Sequence, residues 1–77
     1  MSKLPVISGK ELLRVLAKAG FVIQGQRGSH VKVKKRLVDR VIVTTVPLHR
    51  ELDVGTLNGI LKQAEISREA FFELLAK

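Results

Sequence analysis

Two histidines, His30 and His49, are the residues of this chain whose chemistry reaches furthest, because imidazole gives and takes protons near neutral pH. His30 stands in a cationic row. Residues 29–34 alternate, so that Val31 and Val33 point one way while His30, Lys32 and Lys34 point the other. Arg27 lies just upstream, separated from the histidine by Gly28 and Ser29. A proton acceptor among cations suits a phosphodiester that brings its own nucleophile, as RNA does in its 2′-hydroxyl. Cleavage then needs a base for that proton, cationic donors for the charge on the phosphorane, and an in-line geometry. General-base help contributes about 10²–10⁴ in rate. Arg27, Lys32 and Lys34 are candidate donors to the non-bridging oxygens. Ser29 and the Gly28 amide add hydrogen bonds, and Gly28 allows a backbone to come close to a phosphate. The residues alone leave a second reading of His30 open, an ordinary surface histidine on a strand. His49 follows Pro47 and has two readings as well: general acid for the leaving 5′-oxygen, or a residue that fixes its loop by hydrogen bonding. The loop role is preferred.

What the sequence lacks removes other chemistries. Without cysteine there is no thiolate zinc site, no cysteine nucleophile and no disulfide scaffold, and a reducing cytoplasm is the natural compartment. Two histidines and scattered carboxylates make no HExxH, facial triad or EF-hand loop, so no metal is expected. Neither GxxxxGK[ST] nor GxGxxG occurs, and Gly25-Gln26-Arg27-Gly28-Ser29 lies between strands rather than before a helix, so no nucleotide cofactor is expected either. Tryptophan and tyrosine are absent, Phe21 reads as core, and Phe71 and Phe72 belong to the last helix. The sheet therefore has no aromatic platform on which bases would stack.

The elements that must position these residues are short. Ser8-Gly9-Lys10-Glu11 has the form of a capping box, and a helix over 9–19 follows, with Leu12, Leu13, Leu16 and Ala19 near one face and Gly20 placed to end it. A strand is expected at 21–24, a turn at 26–28, a second strand at 29–34, a poorly marked turn within 35–39, and a third strand at 41–46 stopped by Pro47. Asp53 caps a helix over 54–64 with Leu57, Ile60, Leu61 and Ala64 as its apolar stripe; Gly55 and Gly59 weaken it by roughly 1 kcal/mol each relative to alanine. Ser67 caps a last helix that runs to Leu75, with Phe71, Leu74 and Leu75 inward. The order α-β-β-β-α plus a short C-terminal helix describes an α+β fold, a three-stranded antiparallel sheet with helices on one face. His30 then lies on the open face.

Length and charge agree with that outline. Seventy-seven residues make one small domain with a thin core, since a chain near this size buries only roughly 60% of its unfolded surface. Apolar content of 45% argues against disorder. No apolar run approaches a membrane span, and Met1-Ser2-Lys3-Leu4-Pro5 lacks the centre of a signal peptide, so no membrane association is expected. The formal net charge is +7, from 14 bases and 7 acids. Residues 27–40 hold six bases against one acid, a net of +5, while residues 51–77 hold three bases against five acids. That asymmetry fits a polyanion on one side of the molecule.

Four segments in order resemble the HicA toxins, small mRNA interferases of HicAB toxin–antitoxin systems. Gly9-Lys10-Glu11-Leu12 with its helix and Gly20-Phe21 resembles the family's opening, and Arg27-Gly28-Ser29-His30 its GSH active-site motif. Val46-Pro47-Leu48-His49 resembles its VPxH segment, and Glu51 through Leu57 followed by Ile60-Leu61-Lys62-Gln63-Ala64 its GTLxxILKQA block. Each is weak alone; together they cover nearly the whole chain, read as a single HicA-like domain over 1–77. The resemblance implies a double-stranded-RNA-binding-domain-like fold and ribosome-independent cleavage of single-stranded mRNA without a metal. It also implies an essential histidine, here His30, and a HicB-like antitoxin that covers the site. Two other functions compete. A non-catalytic double-stranded-RNA binder of this fold needs a lysine cluster at the start of its large helix, where this chain has Asp53-Val54-Gly55-Thr56. A helix-turn-helix made of 57–64 and 67–75 would bring Glu69 and Glu73 into a phosphate groove beside a single arginine, Arg68.

Overall fold

In the computed structural model, which describes residues 3–77, the first helix begins where Ser8 caps it. Met1 and Ser2, part of the stretch read above as lacking a signal-peptide centre, lie outside the described residues. Helix α1 is Gly9–Lys18. The Glu11 amide donates to the Ser8 hydroxyl at 3.1 Å and the Ser8 amide donates to the Glu11 carboxylate at 3.0 Å, so both orphan donors are satisfied reciprocally. Leu12, Val15 and Leu16 are buried. Val15 takes the inward place expected of Leu13, which is only half-buried. Ala19 caps the helix, and Gly20 turns the chain out at φ 101°.

Strands β1 (Val22–Arg27), β2 (His30–Arg36) and β3 (Val41–Pro47) form one antiparallel sheet in the order β1-β2-β3. Two strand ends lie two or more residues beyond the sequence expectation, those of β1 and β2. β1 runs three residues beyond Gln24, and the turn falls at Gly28-Ser29 rather than at 26–28. A register shift between Ile23 and Gly25 lets the strand absorb an extra residue and continue past its glycine. β2 runs on to Arg36 because Lys35 and Arg36 still pair with Ile42 and Val41. The unmarked turn after it is a four-residue loop closed by the Leu37 amide donating to the Arg40 carbonyl at 2.8 Å. Side chains replace the missing glycine or proline there. The Arg40 guanidinium pairs with Asp39 at 2.8 Å and also with Glu65, which ties the loop to the corner between the last two helices.

Those helices are α2 (Val54–Gln63), capped by Asp53, and α3 (Arg68–Ala76), capped by Ser67, whose hydroxyl accepts from the Ala70 amide at 3.1 Å. Leu57, Ile60, Leu61 and Ala64 form the buried stripe as expected. Phe71 is fully buried, while Phe72, Leu74 and Leu75 pack half-buried at its side. Removing a leucine or phenylalanine side chain from water contributes roughly 1.5–3 kcal/mol, and the core is a single cluster of such groups. α1 and α2 pack on β3 and α3 packs against α1, so the helical layer sits under β2 and β3. β1 lies outside that cover, and all six of its residues are exposed. The result is the small α+β fold expected, in the order α-β-β-β-α-α.

Candidate active site

Residues paired directly across an antiparallel ladder share a face, so the register reads out the open side of the sheet. Val31 pairs with Val46 and Val33 with Thr44, and all four are buried against the helices. The rows between them face out. Arg27 and His30 form one row, which ends at Pro47, buried beneath the start of α1; Gly25, Lys32 and Thr45 form the next; Val22, Lys34 and Val43 the third; Arg36 and Val41 a fourth. The alternation that placed His30 with Lys32 and Lys34 therefore holds, and the cation row extends to Arg36. Lys35 points the other way and lies over the Phe21 ring, its ammonium 5.9 Å from the centroid.

The first two rows enclose a solvent-open hollow of about 500 Å³, lined by Gly25, Gln26, Arg27, His30, Lys32 and Thr45. Three of the anticipated residues, Arg27, His30 and Lys32, are thus brought round one depression. Lys34 lies one row further along the same face and does not line it; its half-buried stem runs between Val22 and Val43. Gly28 and Ser29 make the two-residue loop that joins Arg27 to its direct partner His30. Gly28 has φ 59° and Ser29 no positive φ, the pattern of a two-residue hairpin with glycine first. The Gln26 side chain donates to the Gly28 carbonyl at 3.0 Å and steadies that loop.

The histidine end of the sheet is held from behind. The Leu48 amide donates to the Ser29 carbonyl at 2.7 Å, and the Gly9 amide donates to the His49 carbonyl at 2.9 Å. A Cβ at Gly9 would stand 2.1 Å from the Pro47 carbonyl oxygen, so only glycine allows the start of α1 to sit this close. The three segments singled out by sequence around Gly9, His30 and His49 meet in this joint.

His49 itself is exposed and does not line the hollow. Its backbone carbonyl is the group engaged by α1, and its side chain bears on Asp53. The Asp53 carboxyl is held below its ordinary range first by the Thr56 amide, which donates at 2.7 Å, then by the Thr56 hydroxyl, with the charge of His49 a smaller influence. That environment belongs to the capped start of α2.

Sequence reading missed Gly25, Gln26 and Thr45 as parts of the site. Gly25 fell between the expected strand and turn, Gln26 fell in that turn, and Thr45 sat in an apolar strand; the signal available was Thr45, a small polar residue at an outward position of that strand. Among the described residues, no three His, Cys, Asp or Glu side chains are grouped so as to hold a metal ion, and no helix is long and apolar enough to cross a membrane. What the hollow offers chemically is one proton-transfer group beside two permanent cations, on a surface open to a long polymer.

A family model described as the HicA toxin of bacterial toxin–antitoxin systems matches residues 9–66, which spans α1, the whole sheet and α2. No curated protein matches the chain.

Proposed function

Since the chain belongs to the HicA toxins of bacterial toxin–antitoxin systems, we propose that it acts as an endoribonuclease on single-stranded mRNA, with His30 as its acid–base group. The observation that supports this reading most is the register: His30 shares the open face with Arg27 beside it and Lys32 one row away, round one hollow. His30 removes the proton of a 2′-hydroxyl. The freed oxygen attacks the adjacent phosphorus, and the bond from phosphorus to the 5′-oxygen breaks on the opposite side. The departing oxygen takes a proton from the solvent to which the hollow is open, and His30 returns its own to water. The products are a 2′,3′-cyclic phosphate and a 5′-hydroxyl. Arg27 and Lys32 stabilise the charge on the non-bridging oxygens as it grows. Nothing in this sequence of steps calls on a metal or an organic cofactor. His49 stands outside it, as a loop residue.

The partner in this reading is a HicB-like antitoxin. The exposed, cationic face and the uncovered edge of β1 fit an inhibitor that is acidic or that adds a strand, and steering by charge speeds its capture. A double-stranded-RNA-binding role without catalysis fits less well, because the start of α2 carries Asp53 and no base. In a DNA-reading role α3 would enter the groove, yet it packs on α1 and buries Phe71 in the core.

The test is a labelled single-stranded RNA incubated with protein in EDTA. We expect cyclic-phosphate ends from wild type and, for His30→Ala, a loss of about 10²–10⁴ in rate with an unchanged melting temperature. Cleavage that persists undiminished in His30→Ala would refute the assignment.

A further inference from the structure

Gly25 is a glycine that the fold does not explain. Its φ is not in the left-handed region, and a Cβ built on it meets nothing within 4 Å. Neither conformation nor crowding requires glycine here, unlike Gly28 with its positive φ or Gly9 against Pro47. A glycine inside a strand weakens the strand, and its recurrent uses are a bulge or the close approach of another molecule. Gly25 follows the bulge, but the bulge itself leaves room and dihedral freedom for a side chain. What a side chain would do is fill the hollow. Position 25 is directly opposite Lys32 on the open face, in the row that ends at Thr45, and Arg27 is the next outward residue along the same strand. The missing Cβ thus leaves bare backbone as a floor between two cations, one row from His30.

We propose that this floor is a subsite for one nucleoside of a single-stranded RNA, kept open by the absence of a side chain at position 25. Arg27 and Lys32 hold the flanking phosphate charge, the flat base lies over the strand backbone at Gly25, and the Thr45 hydroxyl at the far rim offers a hydrogen bond to the base edge. The volume of about 500 Å³ is within the roughly 300–1,000 Å³ of sites that accept a small ligand. The subsite also answers how a sheet with no exposed aromatic ring takes hold of a base: close contact with backbone stands in for stacking on a ring. The inference rests on the RNA-cleaving reading for its substrate class, and it makes position 25 a determinant of substrate fit rather than of proton transfer.

The test separates the two. Single-stranded RNA carrying 2′-fluoro groups lacks the nucleophile and reports binding alone, by fluorescence anisotropy; the unmodified RNA reports cleavage. Gly25→Ala, Gly25→Val and Gly25→Gln are compared with Gly59→Gln, a control on α2 where a Cβ also meets nothing within 4 Å. Melting temperatures verify that each variant folds, and the glutamine variant guards against aggregation of the valine one. We expect Gly25→Ala to bind within about threefold of wild type, Gly25→Val and Gly25→Gln to bind about tenfold or more weakly, and Gly59→Gln to bind unchanged. Cleavage should fall in parallel. Wild-type binding by both Gly25→Val and Gly25→Gln overturns the subsite even if wild type cleaves well. An equal loss in Gly59→Gln overturns it too. A graded loss of binding in a protein that never cleaves upholds the subsite and sinks the nuclease reading.

Discussion

The sheet register makes a prediction about two adjacent lysines that charge alone does not distinguish. Lys34 shares the open face with Arg27, Lys32 and Arg36, whereas Lys35 points to the helical side and covers Phe21. If single-stranded RNA lies along the open face, these four cations displace counterions and Lys35 displaces none. The logarithm of affinity then falls with the logarithm of salt concentration with a slope near −0.7 per neutralised phosphate, about −2.8 for four. Raising salt from 50 to 200 mM should weaken wild-type binding by about 50-fold. Lys34→Gln should reduce the slope to about −2.1, a loss of about 20-fold over the same interval. Lys35→Gln should leave the slope alone and instead lower the melting temperature slightly, because a cation over an aromatic ring contributes about 0.5–1 kcal/mol. The assay is anisotropy of a labelled 2′-fluoro RNA across a salt series, with thermal melts in parallel. Equal slope changes for the two variants, or a change only for Lys35→Gln, would refute the placement of RNA on this face.

Two further outcomes test the frame behind the site. Gly9→Ala drives a methyl group into the Pro47 carbonyl and should cost roughly 1–3 kcal/mol as the backbone shifts; a thermal melt should show a drop of about 4–8 °C per kcal/mol, and an unchanged melt would mean the joint is not tight. Acid should destabilise the protein with a traceable origin. Asp53 and Glu65 are held below their ordinary values in the folded protein, by Thr56 and by Arg40 respectively, so below the ordinary range near pH 4 the unfolded chain takes up protons that the folded one refuses. Their stabilisation is present at neutral pH and is lost as pH falls through the folded values. Melting temperature followed from pH 7 downward should fall less steeply in Glu65→Gln than in wild type, and parallel curves would remove Glu65 from the account.

How much was legible varied with how much the surroundings had to supply. Ser8, Asp53 and Ser67 announced three helix starts correctly, because a cap is a contact between residues three apart and needs nothing distant. The face of β2 was legible for a similar reason: with one side buried, Val31 and Val33 fix the parity of His30 and Lys32. β1 was misjudged because that constraint is absent. It lies outside the helical cover, every residue on it is exposed, and it carries a bulge, so no alternation marks it and Gln26-Arg27-Gly28 resembles a turn. The hollow went unread for the same cause, since one of its walls is that strand. The loop at 37–40 has no glycine, proline or asparagine, and its restraint comes from Arg40 reaching Glu65, 25 positions away.

The same contrast divides the labour within the site. One wall, with His30, Lys32 and Thr45, belongs to two strands that are paired with each other over seven residues and backed by buried Val31, Val33, Thr44 and Val46. Its end is fixed again where Leu48 bonds Ser29, and Gly9 in turn bonds the neighbouring His49. The other wall, with Gly25 and Arg27, hangs on the β2 ladder alone, interrupted by a bulge, with solvent on both faces. Proton transfer tolerates little error in position, and the doubly braced wall is the one that carries His30. In the proposed reading the base sits on the doubly braced wall and the nucleoside floor on the wall held by a single ladder. In the same reading the free edge of β1 stands beside the hollow, so that an antitoxin adding a strand there would lie against both.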